Sequence, residues 1–288
     1  MHRSTGMPAR WLAPALLALV IFTLPGASRA AEPPAPKFAG CGGVSVPAVD
    51  TSLEQQVVDL TNAERASAGL PPLKLVSELT SSARYHAADQ AQDAYFNHDS
   101  YDRSGDTLSM ACAWSSRIGS FYSGSSMAEN IAAGYATPEA AVQGWMASDG
   151  HRRNILDAGL REIGVGYYAG GPYGRYWVQN FGTRSDVFPL VIDGEAAYTQ
   201  STLVTLYIYN DTTPWQEMRL RTDGGAWTAW QPYRQTLSYD LGAGDGLRTV
   251  SVELRRSGRS AASSDTIVLS AKGEVVLSPR MFTPIAWW

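Results

Sequence analysis

Chemistry near neutral pH has few places to reside in this sequence, because only four histidines occur in 288 residues and one of them is His2, inside the amino-terminal leader described below. That leaves His86, His98 and His151, the side chains whose ordinary titration falls in the physiological range. His98 sits in FNHDS, directly after the aromatic pair Tyr95-Phe96. His151 sits in GWMASDGHRRNIL, behind a Ser-Asp-Gly break. Ser148 and His151 lie three apart, which suggests a nucleophile and its base. A hydrolase of that kind also needs an orienting acid and an oxyanion hole, and the sequence identifies neither. Ser148 is therefore read as a residue that satisfies backbone groups at a helix end. His86 falls near the apolar face of a helical pattern and reads as a buried structural histidine.

The elements that must position these residues are legible from period and caps. Thr51-Ser52-Leu53-Glu54 forms a capping-box pattern, and Leu53, Val57, Leu60 and Ala63 follow at helical spacing until Gly69, Pro71 and Pro72. A second helix is predicted from Ser77, with Leu79, Ala83, Ala87 and Ala91 on one face. Thr137-Pro138-Glu139 opens another, because threonine caps, proline suits the first turn and glutamate complements the dipole. The period then changes to two. Residues 163–167 and 175–181 flank Gly170-Gly171-Pro172, which predicts a hairpin. After Thr183 only alternating strands remain, such as Val204-Leu206-Ile208 and Val250-Val252-Leu254, which argue a β-sandwich.

The leader has a basic start, an apolar run over residues 11–24 and Ser28-Arg29-Ala30, which offers small residues at a cleavage site. Export with cleavage after Ala30 is expected rather than a retained anchor, and no later stretch is apolar for long enough to span a bilayer. The net charge of −4 becomes more acidic once Arg3, Arg10 and Arg29 leave, which argues against nucleic acid as a partner. Cys41 and Cys112 are the two cysteines, and outside the cytosol an even pair forms a disulfide more often than it stays reduced. Segmentation follows: 1–30 leader, 31–50 a Pro/Ala/Gly-rich tail, 51–183 a helix-plus-sheet domain, 187–271 a β domain and 272–288 a C-terminal tail.

Several ordered stretches within residues 52–183 resemble the CAP superfamily of secreted cysteine-rich, antigen 5 and pathogenesis-related 1 proteins, in its bacterial form. They are LTNAERASAGLPPLKL, FNHDS, AENIAAGY, GWMASDGHRRNIL and the closing strands IGVGYY and YWVQNFG. The resemblance implies an α+β fold, an α-β-α sandwich, whose central cleft is lined by two histidines and acidic residues and described as a divalent-metal site. His98, Glu129 and His151 occupy matching positions. Many eukaryotic members carry a second glutamate three residues after the tryptophan, and Ser148 stands there in this chain. The gaps of 31 and 22 residues between the three exclude a local ligand motif such as HExxH, so only the fold can gather them. Two neutral imidazoles and a carboxylate would suit zinc with one open position, with Asn97, Ser100 or Ser148 orienting the rings. The stretches DGGAWTAWQPY and LGAGDGLRTVSVEL resemble immunoglobulin-like repeats of bacterial surface proteins.

Three functions are compatible with these residues. One is a secreted, non-enzymatic binding protein, associated with the cell surface through its β domain, whose cleft takes a divalent cation and a small apolar or envelope-derived ligand. Another is a metal-assisted hydrolase of peptide or envelope substrates, with Glu129 as ligand or base. The third is a structural surface protein with an inert cleft. The first is the expectation carried forward.

Overall fold

A computed structural model describes Met1 and residues 38–270; the expected leader, its cleavage site and the tail beyond residue 271 lie outside the described residues. The first half comprises α1 (Thr51–Ser67), β1 (Lys74–Leu75), α2 (Ser77–Gln92), β2 (Ser100–Ser104), β3 (Thr107–Cys112), α3 (Trp114–Gly119), β4 (Ser126–Ala133), α4 (Pro138–Ala147), α5 (Asp149–Ile155), β5 (Glu162–Ala169) and β6 (Arg175–Thr183). β1, β5, β6 and β4 form one sheet in that order, with β4 on an edge. The β1–β5 pairing is parallel and the others are antiparallel.

Helices cover both faces of this sheet. Ile163 and Val165 of β5 and Trp177 and Phe181 of β6 pack with Val57 of α1 and Trp145 of α4. On the opposite face Tyr176 and Val178 meet Ala83, Ala87 and Ala91 of α2. Glycine and alanine make that second contact close. A Cβ added at Gly164 would lie 2.0 Å from the Thr80 nitrogen, and one at Gly166 would lie 2.2 Å from the Ala83 carbonyl carbon. The alternation Ile163-Gly164-Val165-Gly166 thus sends bulk to one layer and leaves the other open for the helix backbone.

Local signals are mostly realised, with one correction at the first helix. Its N-cap is Asp50, whose carboxylate accepts from the Ser52 and Leu53 amides, and Thr51 is already helical. Glu54 does not close the expected capping box. It lies buried, receives Arg84 through both carboxylate oxygens and accepts from the Tyr167 amide. Tertiary pairing with a guanidinium outcompetes a local bond of about 1 kcal/mol. α2 starts at Ser77 as expected, and Thr137 caps α4 by accepting from the Ala140 amide. Cys41 and Cys112 form a disulfide that ties the segment after residue 38 to the end of β3.

The second half comprises β7 (Leu190–Ile192), β8 (Tyr198–Thr199), β9 (Leu203–Ile208), β10 (Glu217–Thr222), β11 (Gln231–Pro232), β12 (Thr236–Asp240), β13 (Gly246–Arg256) and β14 (Arg259–Leu269). A five-stranded sheet, ordered β11-β10-β13-β14-β8, faces a three-stranded one ordered β12-β9-β7. Their shared core contains Leu206, Ile208, Met218, Leu220, Val252 and Leu254. Trp215 joins that core, whereas Trp227 and Trp230 lie under Arg219, with Arg255 3.9 Å over the Trp230 ring. No helix among the described residues is long and apolar enough to cross a membrane.

The two halves belong to one compact unit. Lys74 of β1 donates to Glu195 at 2.9 Å and also pairs with Asp265 of β14. Asn62 donates to the Gly194 carbonyl at 2.9 Å and Gln55 to that of Glu195 at 2.8 Å. The turn they hold has Asp193, Gly194 and Glu195 at φ of 45°, 66° and 75°, a left-handed run that non-glycine residues rarely adopt.

The close α2–β5 contact predicts that Gly164→Ala lowers unfolding stability by about 3 kcal/mol, since backbone atoms rather than flexible side chains block the new methyl. Gly119→Ala, where a Cβ meets nothing within 4 Å, serves as the control and is expected to change little. Urea denaturation of the two variants checks this, and equal stabilities would refute the packing account.

Candidate functional site

β4 presents Glu129 toward the α2 and α3 layer, where the carboxylate is buried. Three elements converge on it. The loop between α2 and β2 brings His98, whose Nδ1 lies 2.9 Å from Glu129 Oε1. α3 brings Arg117, whose Nη2 donates to Glu129 Oε2. β6 brings Asn180, directly across the ladder, whose amide in its hydrogen-bonding orientation donates to Oε2 at 3.0 Å. A carboxylate can only accept, so the Nδ1 of His98 carries the proton and the ring's other nitrogen remains available. The His98 side chain is 46% exposed, against 1% for Glu129.

Arg117 is fully buried and also fixes the loop it faces. Its Nη1 donates to the His98 carbonyl at 2.8 Å and to Ser100 Oγ at 3.1 Å. His86 Nε2 stands 3.9 Å from Glu129 Oε1 and 2.9 Å from the Asn97 carbonyl, to which it donates. Burial, reinforced by the Arg117 charge, holds His86 well below the ordinary histidine range, so the ring is neutral.

His151 arrives from the other helical layer. It lies inside α5, because Ser148 ends α4 and the chain re-enters a helix at Asp149. Asn130 donates to the His151 carbonyl at 3.2 Å, and Asn154 donates to the Glu129 carbonyl at 3.1 Å, so α5 is stitched to the edge strand β4. Partial burial, then the nearby His98 charge, lower the His151 pKa.

The structure therefore joins His98 directly to Glu129, with His151 on α5 as a neighbour. The three do not form a compact ligand trio: among the described residues, the group whose ligand atoms converge within 4.8 Å is Asp89, Asp93 and Asp102. Of the residues expected to orient the rings, Ser100 accepts from Arg117, the Asn97 side chain accepts from the Asp99 amide at 3.0 Å, and Ser148 stands between two helices. Glu129 performs that orienting role for His98. Sequence reading missed Arg117, which sits in a six-residue helix with no period to mark its inward face.

Residues 58–181 match the model of the CAP, cysteine-rich secretory protein, family. The uncharacterised protein YkwD of Bacillus subtilis is 39% identical over 137 residues, which are 48% of this chain and 49% of YkwD. The uncharacterised membrane protein YlbC of the same organism is 33% identical over 135 residues, 46% of this chain and 35% of YlbC. The chain thus spans about half the length of one relative and about a third of the other. Among solved structures, an extracellular protein containing an SCP domain from Bacillus anthracis is 32% identical with a TM-score of 0.41, covering 47% of this chain and 42% of that one.

Two outcomes follow from the buried charges. Glu129→Gln leaves the Arg117 guanidinium unpaired in the interior and is expected to cost about 3 kcal/mol, with an Arg117→Met/Glu129→Gln double variant losing less than the sum of the single changes. Additive losses in urea melts would refute the coupling. His86 is held below 6.5 when folded, so it adds stability above that pH that is lost as the pH falls through and beneath it. Between pH 6.5 and 5 the native protein should lose up to about 1.4 kcal/mol per unit relative to His86→Gln, and parallel profiles would count against a neutral buried ring.

Proposed function

We propose, from the match of residues 58–181 to the CAP family model, that this chain is an exported binding protein whose cleft, between His98 and His151, takes a divalent cation and a small apolar or envelope-derived ligand. The observation that carries this reading is the bond from the His98 Nδ1 to Glu129, which turns the ring's second nitrogen outward on a half-exposed side chain. A carboxylate behind a histidine fixes its tautomer and raises its basicity, the arrangement that suits an imidazole for a metal. Burial lowers the His151 pKa and so favours the neutral ring that a ligand needs.

Zinc is the ion these donors favour, with His98 and His151 as protein ligands and the remaining positions filled by solvent or ligand. Glu129 serves as the orienting partner. When bound, the ion would supply Lewis acidity toward an oxygen of the ligand. Phe96, two residues before His98, is exposed and packs on Tyr173 with ring centroids 5.9 Å apart, which supports an apolar component in whatever is bound. The hydrolytic alternative would require a carboxylate able to take a proton from water, and Glu129 is already committed to Arg117 and His98. Export is supported by the apolar leader sequence and by the Cys41–Cys112 bridge, a bond that persists in oxidising compartments.

Calorimetric titration of the mature chain with zinc tests the reading. One ion per chain is expected, with His98→Ala and His151→Ala each weakening binding by about 10- to 100-fold and Ser148→Ala leaving it unchanged. Equal zinc affinity in the native protein and both histidine variants would remove the cleft as its site.

A further inference from the structure

The C-terminal end of α2 carries a charge arrangement that the cleft does not use. The last turn contains no basic residue, yet Asp89 lies one turn before the C-cap, which is Asp93. Helix carbonyl ends already concentrate negative potential, and cations rather than carboxylates are stabilising there. The β2–β3 hairpin adds Asp102, so that one carboxylate oxygen from each of Asp89, Asp93 and Asp102 lies within 4.8 Å of the others. Asp89 is wholly buried, Asp93 is 2% exposed and Asp102 is half-buried, which leaves one side of the group toward solvent.

Asp89 supplies a second and separate observation. Its Oδ2 accepts from the Tyr95 hydroxyl, but its Oδ1, in a residue with no exposed surface, has no hydrogen-bond partner. Such an oxygen loses its water on folding and gains nothing in return unless something positive sits against it. Burial, and after it the neighbouring Asp93 charge, push the Asp89 carboxyl up to about 7, although the Tyr95 hydroxyl, the Arg117 charge and Ser100 act in the opposite direction. Arg103 is bonded at the same helix end to the Asp93 and Ala94 carbonyls, at 2.5 and 3.1 Å.

We propose that Asp89, Asp93 and Asp102 form a binding site for a hard divalent cation, calcium above all, distinct from the histidine cleft. The donors are all oxygens, two on one helix turn and one on a hairpin, and calcium accepts carboxylates from such irregular geometry more readily than magnesium does. Zinc prefers the nitrogen donors of the cleft. Gly40 donates its amide to Asp102 Oδ1 at 2.9 Å, and Tyr85 donates to the Gly40 carbonyl at 3.3 Å. A cation held by Asp102 would therefore also fasten the segment around the Cys41–Cys112 bridge onto the end of α2, giving the domain a calcium-dependent clamp.

The test uses the full mature chain, stripped with chelator and titrated with calcium chloride at pH 7.5, by calorimetry and by thermal unfolding. Saturable binding of one ion is expected with a Kd on the order of 0.1–1 mM, typical of extracellular calcium modules, together with a rise in Tm. Asp102→Asn, which keeps an acceptor for the Gly40 amide, and Asp89→Asn should each weaken binding at least tenfold while circular dichroism confirms the native fold. His98→Ala and His151→Ala should leave the calcium response intact, which separates this site from the cleft. The proposal is overturned if the native protein shows no saturable calcium binding, as a proton shared among the carboxyls would give, or if both aspartate variants bind calcium as the native protein does.

Discussion

Glu129 and Arg117 form the buried ion pair on which the organisation of the cleft depends. Two charges taken out of water are tolerated when the surrounding donors and acceptors compensate them. The pair recruits its surroundings to meet most of that demand: His98 and Asn180 on the carboxylate, the His98 carbonyl and Ser100 on the guanidinium, whose buried Nε is left without a hydrogen-bond partner. The recruited groups come from the loop after α2, from β2 and from β6, so satisfying one ion pair fixes the relative positions of β4, β6, α3 and that loop. The orientation of His98 is a by-product of that electrostatic requirement. Burial, with the same positive charge behind it, keeps His86 neutral, which removes a competing cation from beside the carboxylate.

The pair can lie so deep because the layer above it is thin. Gly164 and Gly166 let α2 approach the sheet to within backbone contact, and Ala83, Ala87 and Ala91 keep the helix side of that contact small. Bulky residues at those strand positions would lift α2 and move the loop carrying His98 away from Glu129. Packing on one face thus sets a hydrogen-bond distance at the sheet edge. On the opposite face the large side chains Trp145, Trp177 and Phe181 supply the hydrophobic stabilisation that the small-residue face forgoes.

Much of this was legible in the sequence wherever the determining interactions are local or periodic. Ser77, Thr137 with Pro138, the hairpin at Gly170-Gly171 and the alternating strands after residue 200 follow from caps, turn residues and period, and they stand where expected. The cysteine pair followed from its count and compartment. What escaped was decided by partners distant in sequence. Arg117 meets Glu129 across 12 residues, Glu54 leaves its capping role for Arg84 across 30, and Lys74 reaches Asp265 across 191. No spacing rule encodes such pairings, because a buried charge takes whichever opposite charge the fold brings to it. The short helix that carries His151 was not anticipated for a milder reason: Ser148-Asp149-Gly150 reads as a stop, yet Ser148 and Asp149 also open a helix well, and packing of Ile155 in the core favours that outcome.

The link between the two halves follows the same logic on a larger scale. Asp193, Gly194 and Glu195 hold a left-handed run that costs of order 1 kcal/mol or more for each non-glycine member. That conformation persists because α1 and β1 act on it from the other half: Asn62 and Gln55 take its carbonyls, and Lys74 binds the Glu195 side chain. Lys74 also binds Asp265, whose other oxygen accepts from the Ile192 amide, so one ammonium gathers the turn, β7 and β14. Separating the halves would leave Glu195 and Asp265 without the Lys74 ammonium, and the turn without the contacts that offset its strain. The β half is therefore joined to the sheet-and-helix half through side-chain bonds at this turn and not by chain connectivity alone.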